Sequence, residues 1–99
     1  MANAGEVYEL LAKFAAVTYE PITYGHLEAL TGVPKHFQGA MLKSVQKRCA
    51  ADGEPDLTSM VVATGTREVA EGHGGSDPAH ERRNCFEFHS ARAKGLPAD

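Results

Sequence analysis

The side chains with the richest chemistry gather toward the C-terminal end: His73, His80, Cys85 and His89. Cys85 and His89 lie one helical turn apart, and zinc accepts such a pair. A tetrahedral site would also need His73, His80 or the more distant Cys49, and the spacing matches no zinc-finger pattern. Cys85 and His89 are therefore only a weak metal alternative, and no cofactor is expected. His80, Glu81 and Glu87 offer acid and base groups, but no nucleophile is placed beside them. A chain of 99 residues also leaves little room for a deep cleft. The run Gly72-His73-Gly74-Gly75 lacks the lysine and hydroxyl residue of a phosphate-binding loop and reads as a connector. The expectation is a non-enzymatic protein.

Charge gives the clearest functional signal. Residues 35–50 contain Lys35, Lys43, Lys47 and Arg48 and no acid, a net of +4. The preceding segment carries a net of −3 and the following one −4, so the whole chain stands at −3. One basic segment between acidic flanks suggests contact with phosphates. His36 and Gln38 open that segment, and Gln46 lies beside Lys47; glutamine can read an adenine edge. Arg67 could reach a flanking phosphate. The expected nucleic-acid-binding residues are thus Lys35, His36, Gln38, Lys43, Gln46, Lys47, Arg48 and Arg67. The competing reading is a solvated helix face on an acidic protein-interaction module. Such a module, of phage or mobile-element type, would inhibit a host protein rather than bind DNA.

These residues need elements to position them. Val7, Leu10, Leu11, Phe14 and Val17 recur at helical spacing and predict a helix over 4–17. Thr23 caps a second helix over 24–31, and Gly32 and Pro34 end it. A third helix runs from Lys35 or His36 to Ala50, with Phe37, Met41, Leu42, Val45 and Cys49 as its apolar positions; Tyr24, Phe37, Phe86 and Phe88 are expected in the core. The β-branched run from Leu57 to Thr64 reads as a strand, Gly65 as a turn and Arg67-Glu68-Val69 as a return strand. Asp77 caps a fourth helix that begins at Pro78 and runs towards Lys94, with a strand over Cys85–His89 as the alternative. This order predicts an α+β, winged-helix-like domain: helix, helix-turn-helix, β-hairpin wing and an added C-terminal helix. One domain over 1–94 and a frayed tail over 95–99 are expected.

The segment ITYGHLEALTGVPKHFQGAMLKSV resembles the winged-helix domain of the O6-alkylguanine-DNA alkyltransferases and alkyltransferase-like proteins. The residues that carry the resemblance are Thr23, Tyr24, Gly25, Leu27, Ala29, Gly32, Pro34 and Gly39. It spans roughly Val7 to Val62 and implies a DNA-contacting scaffold with a small-residue-rich recognition helix. The family's Pro-Cys-His-Arg-Val motif has no counterpart: the nearest stretch, Pro55 to Val62, contains neither cysteine nor histidine. The thiolate that accepts an alkyl group is missing there, so alkyl transfer is not expected. The chain also has no tryptophan, which some alkyltransferase-like relatives carry at that point.

The N-terminus MANAGEVYEL has no basic stretch leading into an apolar run, and no apolar run approaches the ~20 residues of a membrane span. With two cysteines, the chain is expected to be cytoplasmic with reduced thiols. DNA or a host protein is the expected partner, no membrane is involved, and a homodimer is a further option because isolated helix-turn-helix units often work in pairs.

Overall fold

Helix α1 (Ala4–Val17) begins at a capping box. The Asn3 side chain accepts the Glu6 N–H at 2.9 Å, and the Glu6 carboxylate accepts the Asn3 N–H at 3.1 Å. The computed structural model describes residues 2–66, 68–69 and 73–95. After α1 come strand β1 (Ile22–Thr23), helix α2 (Tyr24–Thr31) and helix α3 (Lys35–Ala51). Then follow a 3-10 helix over Leu57–Met60, strand β2 (Val61–Val62) and helix α4 (Pro78–Ala93). The helices start and stop where their caps lie in the sequence. Thr23 accepts the His26 N–H, Gly32 closes α2 with φ 73°, and Asp77 accepts the His80 N–H ahead of Pro78. Cys85 to His89 are helical, so the strand alternative for that stretch does not hold.

The winged-helix expectation fails at the segment after α3. The run read as a strand from Leu57 to Thr64 is a 3-10 helix followed by two extended residues. Asp56 explains the change. Its carboxylate accepts both the Thr58 N–H (2.9 Å) and the Thr58 hydroxyl (2.6 Å), while the Ser59 hydroxyl donates to the Asp56 carbonyl at 2.8 Å. Such local bonds compete with a sheet ladder, and here they win over β propensity. β2 pairs parallel with β1, Ile22 with Val61 and Thr23 with Val62. Because α2 and α3 form the crossover between them, the pairing is parallel and not a hairpin. In the expected return leg, Glu68 accepts the Ala63 N–H at 2.8 Å, but neither Glu68 nor Val69 is in a strand. Arg67 and residues 96–99 lie outside the described residues. The fold is thus a small, mostly helical globule of four helices, without a β-hairpin wing among the described residues.

The core lies between α1, α3 and α4, with the 3-10 helix driven into it. Leu11, Leu42, Leu57, Met60, Val61 and Cys85 are fully buried. α1 packs most extensively on α4, and the 3-10 helix touches α1, α3 and α4. Among the described residues no helix is long and apolar enough to cross a membrane.

Candidate functional site

Helix α3 presents two faces. Gln38, Leu42, Val45 and Cys49, spaced by four, three and four residues, form the buried stripe. His36, Ala40, Lys43 and Lys47 repeat the same spacing on the opposite side and are exposed, as is Lys35 at the helix start. Gly39 is exposed as well, and a side chain placed on it would meet nothing within 4 Å. Among the described residues, no carboxylate lies within ion-pair distance of Lys35, Lys43 or Lys47.

Three residues expected to contact nucleic acid are turned to other tasks. Gln38 is 2% exposed and cannot reach a base edge. Its Nε2 donates to the Tyr24 and Val33 carbonyls, both at 3.1 Å, and so ties α3 to the two ends of α2. Gln46 donates to the Asp56 carboxylate at 2.8 Å. Arg48 lies over the Tyr8 ring, 3.7 Å from its centroid, with Glu9 at 4.0 Å and Asp52 at 3.9 Å. Arg67 is not among the described residues. The structure therefore leaves His36, Lys43 and Lys47 on one exposed face, with Lys35 exposed at the helix start off that face, and gives Gln38, Gln46 and Arg48 other partners. It also corrects the expectation for Phe37, which is 51% exposed rather than in the core.

A polar node sits on the other side of α3. Asp56 accepts Gln46, Thr58 and the Gly74 N–H (3.1 Å), and its own N–H donates to Glu81 at 2.7 Å. Burial alone would raise the Asp56 carboxyl, but the hydrogen bonds from Thr58, Gln46 and Gly74 outweigh it and hold the carboxyl below its usual range. Beside it lies an open depression of about 400 Å³ lined by Gln46, Cys49, Glu54, Asp56, Gly75 and Glu81. A thiol does approach this segment, but from α4: Cys85 Sγ is 3.3 Å from the Asp56 carbonyl. Burial pushes the Cys85 thiol up to about 12, and burial raises Cys49 too, so neither is a ready thiolate.

The metal alternative does not assemble. Cys85 faces Asp56 and Ser59, whereas the His89 ring stands edge-on to Tyr8 and Phe88. Among the described residues no group of three or more histidine, cysteine or acidic side chains is placed to hold a metal.

Comparison with protein-family models, with curated proteins and with solved structures gives no match. The arrangement must be read on its own chemistry.

One cluster was invisible in the sequence. The Tyr8 hydroxyl donates to Glu54, whose side chain is 6% exposed, and Arg92 donates to the same carboxylate at 3.1 Å. Burial, then the bond to Glu54, pushes the Tyr8 hydroxyl up to about 12. Tyr8, Glu54 and Arg92 come from α1, the linker after α3 and α4. No spacing rule links residues so far apart in the chain.

Proposed function

We propose that this chain is a small, non-enzymatic, cytoplasmic protein that contacts nucleic acid through the outward face of α3. The observation that carries the reading is the set of exposed lysines, Lys35, Lys43 and Lys47, with no carboxylate within ion-pair distance among the described residues. Four acids around α3 are paired with side chains other than these lysines. Glu9 and Asp52 flank Arg48, Glu54 holds Tyr8 and Arg92, and Asp56 holds Gln46. Gly39 and Ala40 leave the surface between the cations low, so a phosphate backbone can approach closely. The resemblance of residues 22–45 to a DNA-contacting segment points the same way. A thiol-based reaction is disfavoured because both thiols are free, buried and shifted away from the thiolate. Free, buried thiols also suit a reducing compartment.

With the wing, Gln38 and Arg48 removed from the contact set, the three lysines dominate. Three phosphate contacts give a slope of log K against log salt of about −2.7 on duplex DNA, and each lysine removed lowers it by roughly 0.9. Fluorescence anisotropy with labelled duplex at ~50 and ~200 mM salt measures this. The Lys43→Glu/Lys47→Glu double variant should abolish the binding. No binding by the wild-type protein at low salt would overturn the proposal and favour a host-protein partner.

A further inference from the structure

Positions 37 and 38 invert the usual rule of burial. Phe37 is 51% exposed while its neighbour Gln38 is 2% exposed. A buried polar group is an informative departure from ordinary packing, and an exposed apolar ring becomes one when a second ring joins it, as His36 joins Phe37. The first has a structural reason, since Gln38 donates to the Tyr24 and Val33 carbonyls and fixes α3 against α2. The second has none within the fold. With Gln38 directed inward, the ~100° turn per residue carries Phe37 away from the core stripe. The same turn places Phe37 with His36, Ala40, Lys43, Ser44 and Lys47 on about a third of the helix circumference. The His36 ring leans on Phe37, their centroids 4.3 Å apart and their planes tilted by 42°. The result is an aromatic surface on the first turn of α3, on a helix whose exposed lysines have no carboxylate within ion-pair distance among the described residues.

We infer that the Phe37–His36 surface is a stacking platform for an unpaired base, so that this protein prefers nucleic acid with an unstacked nucleotide over a fully paired duplex. This inference rests on the reading of α3 as the nucleic-acid-contacting helix. The charge of Lys35, Lys43 and Lys47 selects a polyanion, and the aromatic ring selects a polyanion that offers a flat apolar face. Within a paired duplex the bases are stacked on each other and leave no such face free. Every base has one, so the preference is for unpaired structure and not for sequence.

The test compares two labelled duplexes of equal length, one fully paired and one with a single unpaired 2-aminopurine at its centre. The wild-type protein should bind the second roughly tenfold more tightly and quench the 2-aminopurine fluorescence. Phe37→Ala should keep the affinity for the paired duplex within about twofold, because the lysines remain, and lose both the preference and the quenching. Phe37→Trp should restore both. Equal affinity of the wild-type protein for the two duplexes would overturn the inference and leave phosphate contact standing. Equal weakening on both duplexes in Phe37→Ala would also overturn it. Absence of binding to either duplex would remove the proposed function itself and the inference with it. Sedimentation that shows self-association abolished by Phe37→Ala would assign the ring to a second copy of the chain, which again overturns it.

Discussion

His89 is 3% exposed, and its Nε2 is buried without a hydrogen-bond partner. Its ring stands edge-on to Tyr8 of α1 and to Phe88 of its own helix. Burial lowers its pKa from the ordinary 6.5; Glu54 and Glu9 oppose that shift, and Arg92 adds to it. Because the folded value lies below the unfolded one, the unfolded chain takes up the proton first. The neutral ring therefore contributes stability above about pH 6.5, and this is lost as pH falls through the folded value. Denaturant midpoints at about pH 7.5 and 5.5 should fall on acidification in the wild-type protein, and His89→Leu should flatten that fall. An unchanged acid limb in His89→Leu would locate the pH dependence elsewhere. Asp56 also sits below its usual value, for a different reason: its charged form is the one the fold satisfies, through Gln46, Thr58 and Gly74, so it too loses stability on acidification, at lower pH than His89.

At the scale of the element, α3 divides its work between two stripes that mutation can separate. Gln38→Ala removes the donor shared by the Tyr24 and Val33 carbonyls and should cost about 1–3 kcal/mol in chemical denaturation. Its effect on nucleic acid should follow that loss of stability and vanish where the variant is fully folded. Lys43→Glu/Lys47→Glu changes only exposed positions and should leave stability within about 0.5 kcal/mol while removing binding. A folded Gln38→Ala that lost binding outright would show that the glutamine acts at the interface after all. The 3-10 helix makes the same point about local chemistry. Thr58 favours a strand by type and lies in an apolar run, yet the Asp56 cap gathers it and Ser59 into a turn.

For the whole molecule, the contact between α1 and α4 closes the globule, and Glu54 is its polar centre. A carboxylate with a 6% exposed side chain is satisfied there by Tyr8 and Arg92 from both helices. Arg92 is more than half exposed, so solvent screens its share of the attraction. Most of the loss on substitution comes from the Tyr8 hydroxyl left without its acceptor. Glu54→Ala should cost about 2 kcal/mol, lowering Tm by roughly 10 °C for a domain of this size. A calorimetric Tm within about 2 °C of wild type would show the cluster to be peripheral to stability.

The sequence by itself determined the first three helices and the start of α4, because their signals are local, while the helical state of Cys85–His89 was left open. Asn3, Thr23 and Asp77 each lie next to the N–H groups that they cap, Gly32 and Pro34 end α2 from within a few residues, and the stripe of α1 repeats every turn. It also determined the isolated basic charge of residues 35–50. Tertiary structure decided everything that depends on distant partners. Asp56 caps Leu57–Met60 locally, but what holds Asp56 itself came from distant residues: Gln46, Gly74 and Glu81 bond it, and α1, α3 and α4 pack around the 3-10 helix. Which of Phe37 and Gln38 faces the core depended on where α2 presents its carbonyls. Which cations of α3 remain available depended on Glu9 and Tyr8 of α1, which draw Arg48 away. Periodicity fixes a face only relative to its own helix axis; the direction of that face is set by packing against residues that the local sequence does not contain.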